Sequence, residues 1–168
     1  MWMLATVVSK CNYNPVQFPW NPSMSTPTPQ PCPVARSVDL IGDRWSLLIV
    51  RDAFDGMRRF GDFQRSLGVA RNILSDRLRK LVEAGILATR AASDGSAYQE
   101  YVLTAKGEQL FPVVVALRQW GERHLFMRGE RHSQLLDNHT GKPVPYMAPR
   151  AADGNALPAS GTRVKKIG

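Results

Sequence analysis

Cationic side chains are concentrated in one stretch of this sequence, residues 56–90. That stretch holds eight Lys and Arg residues against three acids, in a chain whose formal charge is +8. The preceding stretch, residues 32–55, has three basic and four acidic residues. A local excess of guanidinium groups on a near-neutral body is the chemistry that binds a polyanion such as duplex DNA. Composition alone equally allows a solvated charged face.

The helix that would present this charge is predicted over residues 72–84, with Asn72 as its cap. Its apolar residues recur at helical spacing and form one inward stripe: Leu74, Leu78, Leu81 and Val82. Burial of that stripe turns the polar side chains outward. A helix over residues 60–67 and the short turn Gly68-Val69-Ala70 precede it. In such a pair the second helix enters the DNA major groove.

The remaining elements complete a winged helix-turn-helix, a fold that is mostly α with a small β-hairpin. A first helix begins at Pro33 and ends at Gly42, and a second, over residues 44–54, is capped by Asp43. Strands over residues 86–90 and 100–103 flank a polar loop. A long helix follows over residues 105–125, and Pro112 is expected to kink it or mark a restart.

Ten residues are predicted to contact DNA. Four near the start of the recognition helix are placed to reach base edges, where Arg can bridge guanine and Asn can bridge adenine: Arg71, Asn72, Ser75 and Asp76. Six others are predicted to hold phosphates: Arg58, Arg59, Arg77, Arg79, Lys80 and Arg90. Loop residues 93–98 form a candidate wing without Arg or Lys at its tip. An ordinary solvated surface is the alternative for these positions, above all for Lys80 and for the turn at Arg58 and Arg59.

The chain divides into three predicted segments. Residues 1–31 are rich in proline and predicted to be a disordered tail, in which Met24 is an alternative start to Met1. Residues 32–128 form the folded domain for DNA binding and dimerisation. Residues 129–168 are predicted to be a partly disordered extension, with short strands around Thr140-Gly141.

Several short motifs, in order over about 95 residues, resemble the HxlR-type winged helix-turn-helix regulators, relatives of the MarR group. The matching stretches are CPVAR (32–36), LIGDRW (40–45), RFGDF (59–63), LSDRL (74–78), LVEAGIL (81–87), YVLTAKG (101–107) and WG (120–121). The resemblance implies a sequence-specific transcriptional regulator that binds promoter repeats as a homodimer, with the first and last helices of the domain in the dimer contact. A small-molecule or electrophile effector is an implied partner.

Cys32 matches the cysteine through which some members of that family sense electrophiles or oxidants. A helix N-terminus favours the thiolate, which makes a redox sensor physically reasonable. A small buried residue at the helix start is the alternative.

Other function classes find little support in the residues. No phosphate-cradling glycine loop, nucleophile elbow or metal-ligand cluster is present, which argues against an enzyme and predicts no cofactor. No cysteine follows Cys32, which excludes a zinc ribbon, and the three histidines are widely spaced. No long apolar run predicts a membrane span, and the absence of an export signal favours the cytoplasm. A protein-interaction module without DNA binding is the remaining rival.

Overall fold

The structure, a computed structural model, describes residues 32–165, so the predicted tail at residues 1–31 lies outside the described residues. Within that range, helices surround a two-stranded antiparallel sheet. The elements in chain order are α1 (Pro33–Ile41), α2 (Arg44–Phe54), α3 (Phe60–Leu67), α4 (Arg71–Glu83), β1 (Leu87–Ala91), β2 (Gln99–Leu103), α5 (Ala105–Glu108) and α6 (Phe111–His124). This is the winged helix-turn-helix that the sequence predicts.

The first three helices begin and end where local signals place them. Pro33 occupies the first turn of α1, where its missing N–H costs nothing. Asp43 caps α2 by accepting the backbone N–H groups of Trp45 and Ser46 at 3.0 and 3.1 Å. Gly68 ends α3 at φ 59°, a left-handed conformation that favours glycine.

One predicted helix boundary is wrong, and another prediction is resolved. Asn72 is not the cap of α4, because the helix starts at Arg71 and the Ala70 carbonyl already accepts the Leu74 N–H at 3.1 Å. The helical stretch predicted over residues 105–125 breaks at Gln109 into α5 and α6, which confirms the restart, one of the two expectations for Pro112. Pro112 lies in the first turn of α6, because its ring clashes with any preceding helical turn.

The core is formed where α2, α3, α4 and the hairpin meet. Leu74, Leu78 and Leu81 of α4 are 0–1% exposed, which confirms the inward stripe, while Val82 is half-buried. The residues buried with them are apolar and come from every neighbouring element: Ile49, Val50, Phe63, Val69, Ile86 and Leu87. This packing fixes which side of α4 faces solvent.

The hairpin is rooted on α5 and packed against α3. Its strands pair in the register Leu87↔Leu103 to Ala91↔Gln99. Each strand extends one residue further toward the loop than predicted, β1 begins one residue later, and β2 ends at the predicted residue. The Tyr101 N–H donates to the Arg58 carbonyl at 2.7 Å, which joins β2 to the start of α3. At its base, a Cβ on Gly107 would lie 2.2 Å from the Ile86 carbonyl oxygen, so only glycine allows this approach.

Residues 129–165 run as irregular chain, with isolated bridges at Leu136↔Pro143 and Arg150↔Ala156 and a short 3-10 helix at Ala159–Gly161. The two strands predicted around Thr140-Gly141 are therefore reduced to one bridge. Buried Gln119 of α6 holds this segment: its amide donates to the Pro145 carbonyl at 2.9 Å and accepts the Met147 N–H at 2.8 Å. The segment boundaries proposed at residues 31/32 and 128/129 stay predictions.

Candidate nucleic-acid interface

The first turn of α4 is presented to solvent without acidic partners. Arg71, Asn72 and Ser75 are exposed, and Ile73 is 38% exposed beside them. The Arg71 guanidinium lies over the Phe60 ring, 5.3 Å from its centroid, and within residues 32–165 it pairs with no carboxylate. The ring contact orients the guanidinium, and its charge stays without an acidic partner. The turn can therefore offer amide and guanidinium donors to a base edge.

The next two turns of α4 form an ion-pair network of their own. Asp76 lies 2.8 Å from Arg79 Nη2 and 3.1 Å from Lys80 Nζ. The other side of the Arg79 guanidinium contacts Glu83 at 2.7 Å. These pairs are spaced three or four residues apart, as expected for neighbours on a helix surface. The four side chains together carry no net charge.

The network also favours the charged forms of Asp76 and Arg79. Hydrogen bonds from Lys80 and then from Arg79 lower the pKa of Asp76. The hydrogen bond to Glu83 and then that to Asp76 raise the pKa of Arg79. A DNA phosphate that approaches Arg79 or Lys80 must therefore compete with carboxylates already bound to them. Asp76, predicted to reach a base edge, is the centre of this network.

Arg77 connects α4 to the beginning of α2. Its side chain is 29% exposed, and its buried Nε lies 3.4 Å from Asp43 Oδ1, an ion-pair contact without hydrogen-bond geometry. Asp43 is the residue that caps α2. The arginine therefore contributes to the orientation of the recognition helix against α2, a position different from the open phosphate contact predicted for it.

Three predicted phosphate ligands are tied to the wing, residues 87–103. Arg59 pairs with Asp94 at the wing tip. Arg90 donates to Glu100 at 3.1 Å, and Arg58 lies 4.0 Å from the same carboxylate. The Arg59 and Arg58 pairs link the chain before α3 to the hairpin, and the Arg90–Glu100 pair joins the two strands of the hairpin. The wing tip, residues 93–98, has no Arg or Lys of its own.

Glu100 is a buried acid between two arginines. Burial would by itself raise the pKa of its carboxyl, but hydrogen bonds from Arg90 and Ser93 outweigh burial and lower the pKa. At the wing tip, the hydrogen bond from Arg59, followed by those from Ser96, holds the pKa of Asp94 well below its usual range. Both carboxylates stay ionised at neutral pH and keep their arginines in place.

A cleft of about 650 Å³ lies between α3, the start of α4 and the wing. Besides Arg59, Arg71 and the wing residue Tyr98, it is lined by residues that no sequence motif singled out: Gln64, Arg65 and Gln99. Arg65 pairs with Asp62 on the same helix. Arg65 belongs to the basic stretch 56–90, which was the available sequence signal for it. No local pattern predicts that residues 98–101 lie next to α3, because that contact is tertiary.

Cys32 precedes α1 and is exposed, so the alternative of a small buried residue is wrong. No group of three His, Cys, Asp or Glu side chains within residues 32–165 is arranged to hold a metal ion. Over the same range, every helix is too short or too polar to cross a bilayer.

Comparisons with known proteins agree on one class. An HTH-type transcriptional regulator of Mycobacterium tuberculosis is 48% identical over 107 residues, which cover 64% of this chain and 67% of the relative. The solved structure of PA1607, described as a candidate transcription factor, is 54% identical with a TM-score of 0.79 and covers 83% of this chain and 97% of its own. The redox regulator HypR, solved in its reduced form, is 30% identical with a TM-score of 0.52 and covers 56% and 94%.

These relatives are transcription regulators and not enzymes, as the sequence analysis expected. The HxlR-like helix-turn-helix family model matches residues 40–128, which span α2 to α6 and include the whole recognition unit. The chain therefore belongs to the HxlR-like helix-turn-helix family of transcriptional regulators.

Proposed function

We propose that this regulator reads specific DNA sequences as a homodimer bound to repeated half-sites. The observation that carries the proposal is the exposed first turn of α4, where Arg71, Asn72 and Ser75 project from a helix whose leucines are buried. Hydrogen-bond donors at the start of a major-groove helix can distinguish base pairs. The cleft between α3 and the wing, whose arginine without an acidic partner is Arg71, supports a contact to the phosphate backbone beside that groove.

The division of labour within α4 makes the proposal more specific. Asp76, Arg79, Lys80 and Glu83 compensate one another, so they add little net attraction to a polyanion. Arg71 lacks such compensation and lies at the helix N-terminus, which itself favours a phosphate or a base acceptor. We therefore place sequence reading at Arg71 and Asn72 and assign the later turns a weaker role.

An apolar surface on α1 and α6 supports the homodimer. We call it the α1/α6 face, and it consists of five apolar side chains that are exposed in the isolated subunit: Val34, Val38, Val113, Leu117 and Trp120. Exposed apolar patches of this kind mark interaction sites. A two-fold axis through the face would present two α4 helices, as repeated half-sites require.

The test is binding to DNA from upstream of the protein's own gene. We expect Arg71→Ala and Asn72→Ala each to weaken specific binding by about tenfold or more, the usual cost of one lost bidentate base contact. Arg128→Ala, which removes an exposed arginine away from α4, is the matched control and should change affinity little. Wild-type affinity that falls steeply with salt is also expected. Unchanged specific affinity in both α4 variants would overturn the assignment.

We propose Cys32 as a second, regulatory site. Its support is the exposed thiol at the start of α1, next to the α1/α6 face, together with the likeness to a redox regulator. Diamide would take two electrons and two protons from the Cys32 thiols of two subunits and join them as a disulfide. We expect diamide to release DNA from the wild type and not from Cys32→Ser, both assayed by gel shift. Equal release from the two proteins would exclude the sensor.

A further inference from the structure

A second cavity lies on the side of α2 that faces α6. It measures about 300 Å³ and is closed by residues of α2, α6 and the chain that follows α6. Its walls are mainly apolar: Leu47, Leu48, Val114, Leu117, Gly121 and Phe126. The volume falls at the lower end of the range for small-molecule sites, roughly 300–1,000 Å³. It shares no lining residue with the cleft between α3, the start of α4 and the wing.

Polar groups at the edge of this cavity are already partnered. Arg118 Nη1 donates to Glu122 at 3.3 Å and to the carbonyl and hydroxyl of Ser133 at 2.9 and 3.0 Å. Arg51 Nε donates to buried Asp52 at 2.8 Å. Each cation thus has its own carboxylate. A charged ligand would lose its hydration without gaining an ion pair, so its binding would cost free energy of desolvation. A neutral ligand would have a much smaller desolvation cost.

We propose that this cavity binds an uncharged, mainly apolar small molecule of one to three rings, whose single polar group faces Arg118 and Ser133. The apolar walls supply the binding free energy, and the compensated edge selects against ions. The proposal deepens the proposed function, since α2 packs directly on α4 and a ligand against α2 is placed to act as effector.

Gly121 makes the cavity testable. A Cβ at this position would meet only Leu125 Cδ1, at 3.9 Å, so a side chain can enter the cavity without displacing backbone. Gly121→Leu should fill the space and, at a helical position, should not weaken α6. Ala116→Leu adds similar bulk to the same helix at an exposed position outside the cavity. Leu48→Phe narrows the cavity from the α2 side as an independent variant.

The experiment is a fluorescence titration of the full chain, without DNA, with neutral N-phenyl-1-naphthylamine and its anionic relative 8-anilinonaphthalene-1-sulfonate. We expect the neutral probe to bind about tenfold more tightly than the anion. Gly121→Leu and Leu48→Phe should each weaken the neutral probe by about tenfold, and Ala116→Leu by less than about twofold. Circular dichroism checks that every variant is folded, and a variant that is not folded is set aside in favour of the other.

Three results would overturn the proposal: no binding of the neutral probe, equal binding by both cavity variants and the wild type, or tighter binding of the anion. The first is also the expected result if a second subunit covers the cavity. Operator affinity is measured separately with and without the neutral probe. If the wild type binds the operator but not the neutral probe, the cavity proposal alone is rejected. If the wild type binds the probe but not the operator, the proposed DNA function alone is rejected.

Discussion

Arg77 lies between two helices, which changes what its substitution should do. Its Nε is buried 3.4 Å from the carboxylate that caps α2, whereas Arg79 is 56% exposed on the outer face of α4. Both were selected as phosphate ligands because residue type and helical position look alike in sequence. They differ because α2 packs beside Arg77 and not beside Arg79. That packing is a tertiary contact, which no local sequence pattern predicts.

We expect Arg77→Ala to lower the free energy of unfolding by about 1 kcal/mol, because it removes a partly buried ion pair and exposes the Asp43 cap. Arg79→Ala, which leaves only surface pairs unsatisfied, should change stability by less than about 0.5 kcal/mol. Urea denaturation of both variants measures the difference. Equal stability losses would contradict the link between α2 and α4.

Asp76 controls how much positive charge α4 offers to DNA. Asp76→Asn should free Lys80 to contact phosphates and leave Arg79 with Glu83 as its acidic partner, so we expect tighter binding to DNA of random sequence, by about threefold to tenfold, and a steeper salt dependence. The control, Asp137→Asn, removes the same charge from the C-terminal segment. Fluorescence anisotropy at several salt concentrations compares them. Identical salt slopes in both variants would show that the network does not restrain these cations.

At the scale of the elements, local signals predicted α1, α2 and α3 to the residue. The helix termini are set by Pro33, Asp43 and Gly68, each of which lies within a residue or two of the terminus. Signals of this short range can be recognised in the sequence alone. The break at Gln109 was less visible, because Pro112 is compatible with either a kink or a new helix until the packing of α5 on Ile86 decides. The cleft beside α3 was missed because it depends on contacts between residues some 30 positions apart.

The wing depends on Glu100 for its attachment. Because the pKa of this buried carboxyl is lowered, its contribution to stability is complete above its ordinary value of 4.5 and is lost as the pH falls through the lower folded-state value. We expect Glu100→Gln to lower Tm by about 4–8 °C at pH 7. The difference from the wild type should shrink below pH 4.5. Exposed Glu108→Gln is the control, and a pH-independent difference would contradict the ion-pair argument.

At the scale of the whole molecule, the proposed homodimer depends on the α1/α6 face. Val38→Arg and Val113→Arg each place a charge on this face, and we expect each to raise the dimer dissociation constant roughly 30-fold or more, since an unpaired buried charge is costly. Val164→Arg, at an 86% exposed position, is the control. Sedimentation velocity measures the dissociation constant. Dimers of wild-type strength in both face variants would place the subunit contact elsewhere.

Gln119 attaches the C-terminal segment through main-chain atoms alone: the carbonyl of Pro145 and the N–H of Met147. The side chains at those two positions therefore take no part in the recognition, while the amide on α6 has no substitute that both donates and accepts at the same reach. Positions 145 and 147 should therefore tolerate substitution better than Gln119. Substitutions at positions 145 and 147 leave these two hydrogen bonds in place, whereas substitution of Gln119 removes both.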